Sequence, residues 1–289
     1  MPTPTLPTHH PIFTPHPPET ITTTSWSLPE PAIAQLVLAA YTGAGFALVQ
    51  GPTDPGPGDL QALSAALRLG AVFTPPLYQG STHTRPNGIS HLTATDPVPG
   101  HPFAGRAAQE LHCDGTLQAL GQIPTTLLLC VRPAASGGST LLFDAPAAFA
   151  ALHASDPEAA AQLTHEKALL RTSTLVADRA SAGPAFGWRH GRLVTRYSLT
   201  ETDSYHPLLP DDEPALRRAL GYLRRAARPG SLFRCEFTLG AGQALILAND
   251  RLCHGRSAYQ DQVSAPRLML RALFTSRPGV RIPAQGEAR

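Results

Sequence analysis

The chain has 289 residues, 42% of them hydrophobic and 15% charged, which is typical of a folded globular protein and excludes an intrinsically disordered one. Its formal net charge of +2 and the lack of any dense lysine and arginine run argue against a nucleic-acid partner, while the lack of a signal peptide or long apolar segment argues against a membrane. The four cysteines form no C-x-x-C pair, so we expect free thiols and a cytoplasmic location.

The start of the chain differs in composition from the rest. Residues 1–25 are rich in proline and threonine, and prolines deny the hydrogen bonds of helices and central strands. We therefore predict a flexible arm over residues 1–25 and a single domain over residues 26–289. In the first part of that domain, apolar spacing predicts two helices, one from Pro29 to the Gly43-Ala44-Gly45 turn and one at residues 59–69, with a buried strand at 46–50 between them.

Short apolar runs separated by turns dominate the remainder of the chain. Residues 74–110 are irregular, and such a long stretch in a compact domain is often functional. Beyond it we predict strands at residues 125–131, 140–143, 232–239, 243–248 and 268–275, and helices at residues 144–152 and 213–227. Early helices followed by many short strands favour a mainly β protein with flanking helices, either a β-sandwich or a jelly roll.

The first motif with chemical potential is Leu111-His112-Cys113-Asp114-Gly115-Thr116. Residues i and i+2 of a strand project to the same side, so His112 and Asp114 can offer a nitrogen and an oxygen to one ion. Two histidines and one carboxylate on one face of an octahedron form the ligand set of non-haem Fe(II) oxygenases. In a chain with 12 histidines, however, this pair alone is equally consistent with a surface turn.

The second motif is residues 249–256, NDRLCHGR, which follow the strand predicted at 243–248. His254 is followed by Gly255, and a glycine at a strand end permits close approach of the backbone to a ligand. His254 is therefore a candidate for the third metal ligand. A buried core histidine is the simpler alternative.

Two arginines lie where the last predicted strand begins. Arg267 follows His254 by 13 positions (267 − 254), and Arg271 shares its strand face because the two are four residues apart. A buried arginine needs an anionic partner, and its planar guanidinium suits a carboxylate. An edge strand with solvated arginines is the alternative. Upstream, residues 136–140 (SGGST) predict a hairpin turn before a strand that begins with Thr140.

Together these motifs resemble a known family. His-x-Asp-Gly-Thr, Gly-Gly-x-Thr, Asn-x-Arg-x-x-His-Gly-Arg and Arg-x-x-x-Arg occur in this order, with His112 and His254 separated by 142 positions (254 − 112). They resemble the motifs of Fe(II)/2-oxoglutarate dioxygenases of the taurine dioxygenase type, which include clavaminate-synthase-like enzymes. The resemblance covers residues 29–274.

The resemblance implies a double-stranded β-helix, the cupin-like jelly-roll core, with iron bound by His112, Asp114 and His254. It also implies 2-oxoglutarate as cosubstrate and O2 as oxidant. An acid at position 114 argues against halogenation, since related halogenases lack a carboxylate there. Amino-acid hydroxylases of the clavaminate type often have glutamate at this position, so Asp114 weakens assignment to that subgroup.

The same resemblance assigns the cosubstrate site. Arg267 matches the arginine that pairs with the distal carboxylate of 2-oxoglutarate, and Thr140 matches the hydroxyl that assists it. Arg271 matches a position that holds the anionic group of the substrate in some relatives and supports the cosubstrate in others. The implied reaction is oxidative decarboxylation to succinate and CO2, coupled to hydroxylation of a C–H bond.

We expect irregular segments over the barrel mouth to bind a small-molecule substrate, namely residues 87–92, Gln109 and residues 196–206. Arg196 and Arg271 are predicted to clamp a carboxylate. Tyr205 and His206 are predicted to supply hydrogen bonds or stacking. Each of these is also consistent with an ordinary loop residue.

Three functions are consistent with the sequence. The first is a dioxygenase that hydroxylates an unactivated C–H bond of an amino acid, a peptide-like molecule or another natural-product intermediate. The second is a catabolic dioxygenase that cleaves a sulfonate or an aryloxy acid, and the third is a non-catalytic, metal-binding jelly-roll protein. A protein hydroxylase would need a broad peptide groove, for which the sequence gives no sign. Nothing in the sequence excludes a homo-oligomer.

Overall fold

The computed structural model describes residues 19–79, 84–94, 105–176 and 178–279. Within these ranges there are five α-helices, α1 to α5, at Pro31–Ala44, Pro57–Ala66, Ala145–Ser155, Pro157–Ala161 and Glu213–Ala226. Two 3-10 turns lie at Pro76–Tyr78 and Pro210–Asp212. The strands, β1 to β17, lie at Thr20–Thr22, Phe46–Gln50, Ser90–Leu92, Gln109–His112, Thr125–Arg132, Ser136–Gly137, Thr140–Asp144, Leu169–Thr172, Ala180–Gly183, Phe186–Arg189, Arg192–Thr195, Asp203–Tyr205, Arg234–Phe237, Gln243–Ala248, Leu252–Arg256, Tyr259–Gln260 and Leu268–Phe274.

Two sheets packed face to face form the body of the fold. The larger has six strands in the order β1-β2-β14-β5-β17-β3, and the smaller has four in the order β13-β7-β15-β4. Sequence-distant strands are neighbours in both sheets, and all pairs are antiparallel except β1 with β2. This arrangement confirms the predicted mainly β, jelly-roll fold with flanking helices.

Strand alternation sorts the side chains into an interior and two outer layers. Between the sheets, Leu48, Leu245 and Met269 of the larger sheet pack against Leu142 and Leu252 of the smaller one. On the outer face of the larger sheet, α1 and α2 cover the alternate strand positions. On the outer face of the smaller sheet, α3, α4 and α5 do the same. Side chains of the interior set are therefore the ones that can reach a site at the mouth between the sheets.

The beginning of the described chain corrects one expectation. The arm predicted over residues 1–25 is wrong for Thr20–Thr22, which pair in parallel with β2. The physical reason is the buried Trp26, which is 3% exposed and lies against Gly51, where an added Cβ would approach the indole to 2.6 Å. Burial of this ring fixes the segment before α1 against the sheet. Residues 1–18 of the predicted arm lie outside the described residues.

Residues 169–205 contain structure that the sequence did not predict. They form a three-stranded sheet, β12-β8-β9, and the hairpin β10-β11. Their strands are only three or four residues long, so the alternation that signals a strand is short. The buried rings of Phe186 and Tyr197 attach this region to the helices beside the smaller sheet. Within the described ranges, no helix is both long and apolar enough to cross a membrane.

The end of α1 provides a test of how the sequence specifies the fold. Gly45 has a left-handed φ of 83°, and its N–H donates to the Tyr41 carbonyl. An alanine there would adopt an unfavourable φ and bring its Cβ to 3.1 Å from the Leu252 side chain. We expect Gly45→Ala to lower the free energy of unfolding by about 1–2 kcal/mol or more, measured by urea denaturation.

Gly43 is the matched control, because it lies in the same helix with nothing within 4 Å of an added Cβ. Gly43→Ala should leave the unfolding free energy unchanged or raise it by up to about 1 kcal/mol. Equal effects of the two substitutions would contradict this account of the helix end.

Candidate active site

The two histidines of the predicted triad lie side by side on neighbouring strands of the smaller sheet. His112 ends β4 and pairs directly with His254 of β15, and their ring centroids are 4.5 Å apart. Gly255 permits this pairing, since a Cβ there would lie 2.6 Å from the carbonyl oxygen of Gln109. The close approach expected at this glycine is therefore to the adjacent strand, which the sequence alone did not indicate.

Asp114 follows β4 and brings its carboxylate to the same point. Arg271 Nη1 donates to Oδ1 at 2.6 Å, and Thr126 Oγ1 donates to Oδ2 at 2.8 Å. His254 Nε2 lies 3.5 Å from Oδ2. Arg271 and Thr126 belong to β17 and β5 of the larger sheet, so the carboxylate is held from one sheet while the histidines come from the other.

The backbone of Asp114 is fixed by Asn249, which follows β14. The Asp114 N–H donates to Asn249 Oδ1 at 2.7 Å. Asn249 Nδ2 donates to the carbonyls of Asp114 at 3.2 Å and Ile123 at 2.8 Å. One buried amide thus holds the peptide groups on both sides of the Asp114 Cα, which orients the carboxylate.

A buried arginine clamps the same loop from outside the two main sheets. Arg171 Nη1 donates to the carbonyls of Cys113 at 3.0 Å and Gly115 at 3.3 Å. Its Nε donates to Asp203 at 3.0 Å, and both side chains of this ion pair are almost wholly buried. Strands β8 and β12 are thereby attached to the loop that carries Asp114.

The three side chains fit a divalent metal ion. One ligand atom from each of His112, Asp114 and His254 lies within 4.8 Å of the other two. His112 Nδ1 is 2.8 Å from the Glu110 carbonyl and must donate to it, which leaves Nε2 free for a metal. Two imidazole nitrogens and a carboxylate oxygen form the donor set of non-haem Fe(II) sites.

The charge state of the site suits the same ion. Burial lowers the pKa of His112 and lowers that of His254 to about 3, so both imidazoles are neutral and can offer a lone pair. Burial alone would raise the pKa of Asp114, but the Arg271 guanidinium and the hydrogen bond from Thr126 hold that pKa below its usual range. The site therefore presents one negative charge and two neutral nitrogens.

Two spaces open beside these residues. A narrow cavity of about 50 Å3 has Thr140, Arg267, Tyr259 and Met269 in its wall. A wider cleft of about 370 Å3 has Tyr78, Arg171, Thr172–Thr174 and Thr200–Asp203 in its wall. His112, Gln109, Arg256 and Arg271 line both spaces. The narrow cavity and the wide cleft therefore meet at His112.

The structure brings together most of the residues predicted for the site. His112, His254, Thr140, Arg267, Arg271 and Gln109 all line the narrow cavity, and Asp114 lines the wide cleft. From the predicted loop segments, Leu92 lines the narrow cavity and residues 200–203 line the cleft.

Arg196 and Tyr205 are exceptions, because neither lines the narrow cavity or the wide cleft. Arg196 is buried and donates to the Thr116 carbonyl and to Ser181, so the expected clamp with Arg271 is not formed. The Tyr205 hydroxyl bonds to the backbone of Ser198, and its ring packs against Tyr197 in the core beside α5. His206 is exposed and bonds to Ser204.

Several residues around the site were not predicted as functional. Asn249 stands in the motif 249–256, so a signal was present in the sequence. The alternation of side chains along β5 could have indicated that Thr126 faces the site, because strand positions 126, 128 and 130 face the interior. Arg171 offered no signal, since its partners at Cys113 and Gly115 are distant in sequence.

Comparisons with known proteins agree with this geometry. Residues 7–273 match the family described as "Taurine catabolism dioxygenase TauD, TfdA family". The chain is 43% identical over 241 residues to a uridine-5'-phosphate dioxygenase of Amycolatopsis sp, covering 81% of this chain and 86% of that protein. It is 36% identical over 242 residues to a protein of the same name from Streptomyces sp, with the same coverage.

Solved structures show the same fold at lower identity. An asparagine oxygenase in complex with Fe(II), 2S,3S-3-hydroxyasparagine and succinate superimposes with a TM-score of 0.61 at 16% identity, covering 86% of this chain and 80% of that one. PvcB, an Fe, alpha-ketoglutarate dependent oxygenase, superimposes with a TM-score of 0.57 at 20% identity, covering 83% and 79%.

The jelly-roll fold with a buried two-histidine, one-carboxylate site defines a non-haem iron oxygenase. The chain belongs to the taurine catabolism dioxygenase TauD, TfdA family. It is an Fe(II)- and 2-oxoglutarate-dependent dioxygenase.

Gly255 offers a test of the strand pairing that sets the histidine geometry. In Gly255→Ala the new Cβ would clash with the Gln109 carbonyl and separate β15 from β4. We expect the Fe(II) affinity to fall about tenfold or more, measured anaerobically by competition with a chromophoric chelator.

Gly58→Ala is the control, because an added Cβ there meets nothing within 4 Å. It should bind Fe(II) as the parent does. A folded Gly255→Ala variant with unchanged Fe(II) affinity would show that the close strand contact does not set the geometry of the histidines.

Proposed function

We propose that this enzyme oxidises a C–H bond of uridine 5'-phosphate or a closely similar pyrimidine nucleotide during the biosynthesis of a natural product. The observation that carries the proposal is the 43% identity to a uridine-5'-phosphate dioxygenase, 86% of which is covered. A second protein of that name matches over the same share of its length. These two relatives are stronger support than the amino acid named for a structural neighbour at 16% identity.

We infer that His112, Asp114 and His254 hold the iron, which when bound supplies the activation of O2 for C–H oxidation. The protein keeps two neutral imidazoles and one ionised carboxylate at a single point. Each of the three residues is no more than 8% exposed, so bulk water is largely excluded from the donor atoms. Asn249, Thr126 and Arg271 would hold Asp114 in place while ligands exchange.

We propose that 2-oxoglutarate occupies the narrow cavity, with its distal carboxylate on Arg267 and Thr140. Arg267 is mostly buried, and burial lowers the pKa of its guanidinium. A buried guanidinium gains most from a bound carboxylate, which neutralises it and accepts two parallel hydrogen bonds. The side chain of Thr140 adds a neutral hydroxyl in the same wall.

We propose that the nucleotide occupies the wide cleft. Its wall carries the hydroxyl groups of Thr172, Ser173, Thr174, Thr200 and Thr202, which can bond to sugar hydroxyls and base edges. Gln109 lies where the two spaces meet and is proposed to contact the substrate. Arg271 pairs with Asp114, so we propose that it orients this ligand and contacts the bound cosubstrate or substrate from there.

The proposal also includes the cellular location, the domain organisation and the oligomeric state. A cytoplasmic location is supported by the four cysteines, all of which are free thiols. A single catalytic domain over residues 26–289 stays a prediction; the family match covers residues 7–273. A homo-oligomer stays a prediction.

The decisive experiment measures succinate formation from 2-oxoglutarate by the iron-loaded enzyme. The panel contains uridine 5'-phosphate, uridine, asparagine, arginine, taurine and an aryloxyacetic acid, and consumption of each candidate is followed by mass spectrometry. We expect uridine 5'-phosphate to give the largest stimulation and to be consumed in proportion to succinate. Stimulation by taurine, an aryloxy acid or an amino acid but not by the nucleotide would refute the proposal.

Two variants test the assigned residues in the same assay. His112→Ala should abolish turnover, because it removes one of three iron ligands. Arg267→Met should raise the KM for 2-oxoglutarate about 10- to 100-fold, because it removes charge-assisted hydrogen bonds to one carboxylate. The control is Arg217→Met on the exposed face of α5, which should behave as the parent does. Full turnover in His112→Ala would contradict the iron assignment.

A further inference from the structure

Arg256 lies in a cross-strand row next to the histidine pair. In the smaller sheet Arg256 is paired with Thr140 of β7 on one side and with Gln109 of β4 on the other. Arg256 and His254 are two residues apart on β15, so their side chains share the interior face, roughly 7 Å apart along the strand. Arg256 therefore presents a cation beside the residues proposed to hold iron.

The charge on Arg256 is not neutralised by the described part of the chain. Three arginines line the wide cleft: Arg171 pairs with Asp203, and Arg271 pairs with Asp114. Arg256 makes no ion pair with any described carboxylate. Its guanidinium is held by uncharged acceptors, the carbonyls of Gly105 at 3.0 Å, Ala107 at 2.8 Å and Ser257 at 3.3 Å.

A second cation lies close to it. The Arg256 guanidinium lies over the Tyr259 ring at 4.3 Å, and the Arg267 guanidinium lies over the same ring at 5.2 Å. Burial, followed by the charge of Arg267, lowers the pKa of Arg256 to about 10. Two partly buried arginines beside one tyrosine form a concentrated positive region, which an anion would stabilise.

Arg256 lines one space that Arg267 does not, so the two arginines can bind different ligands. Arg267 lines the narrow cavity, whereas Arg256 lines both the narrow cavity and the wide cleft. The three carbonyl contacts use three of the five N–H donors of the Arg256 guanidinium, which leaves two for a ligand. Both Nη2 hydrogens are taken, so the donors that remain are Nε–H and one Nη1–H, which point in different directions. A phosphate oxygen can accept a charge-assisted hydrogen bond from either one.

We propose that Arg256, with Gln109 beside it, binds the phosphate group of the nucleotide substrate at the junction of the narrow cavity and the wide cleft. This inference rests on the proposed function. Arg267 then serves the cosubstrate carboxylate, and Arg256 determines specificity for a phosphorylated substrate over the free nucleoside.

The test compares substrates with and without the phosphate in parent and variant enzymes. Binding of uridine 5'-phosphate and of uridine is measured by anaerobic calorimetry on enzyme loaded with Fe(II) and 2-oxoglutarate, and KM values are measured for both. In Arg256→Met we expect uridine 5'-phosphate affinity to fall about 10- to 100-fold, with uridine affinity changed less than about threefold. The KM for 2-oxoglutarate should stay within about threefold of the parent value.

Arg256→Lys and Arg217→Met complete the design. The lysine variant keeps the charge and should retain part of the preference for the phosphate, which also keeps the test valid if the methionine variant folds poorly. Arg217→Met on α5 should keep the full preference. Melting curves by circular dichroism check that each variant is folded.

Each remaining outcome decides against the inference. Equal loss of affinity for nucleotide and nucleoside would make Arg256 a structural residue. A raised KM for 2-oxoglutarate with unchanged nucleotide affinity would assign Arg256 to the cosubstrate. Retained preference for the phosphate in Arg256→Met would overturn the inference while leaving the proposed function intact. A parent enzyme that responds to neither uridine 5'-phosphate nor uridine would overturn both.

Discussion

The buried carboxylate of Asp114 is the constraint on which the active site depends. Its two oxygens accept hydrogen bonds from Arg271 and Thr126 of the larger sheet, while His112 and His254 approach it from the smaller sheet. A buried carboxylate without such partners would lose its charge. The pairing of the two sheets therefore decides whether the site carries the negative charge that a divalent ion needs.

The same site links elements that lie far apart in the chain. Asn249 holds the backbone of Asp114, Arg171 holds the carbonyls on either side of it, and Asp203 holds Arg171. Through this series of contacts, the wall of the wide cleft is connected to a metal ligand by buried hydrogen bonds. A change in the cleft wall can thus reach Asp114 without touching it.

The features that could be predicted from the sequence are those encoded in local periodicity and in motifs. Alternation identified the main strands, such as Gln243–Ala248, and the Gly45 turn identified the end of α1. The order of the motifs identified His112, Asp114, His254, Thr140 and Arg267 as one site. The rest depends on contacts between distant segments, which periodicity does not report. Arg196 and Tyr205 were expected at the cleft because they lie in a segment predicted to be irregular, but inside the fold they donate hydrogen bonds to backbone carbonyls.

Arg256 shows why cross-strand register carries functional information that a motif does not. In the sequence it is merely the last residue of residues 249–256, 116 positions from Thr140 (256 − 140) and 147 from Gln109 (256 − 109). In the sheet these three residues form one row, which lies two residues from His254 on β15 and, across a β-bulge, three residues from His112 on β4. The proposed binding of a dicarboxylate and a phosphate ester beside the same iron requires two positive groups that do not compete for one anion. Arg267, just before β17, and Arg256 on β15 are proposed to meet this requirement. The same tyrosine ring lies under both guanidinium groups, but of the two only Arg256 lines the wide cleft.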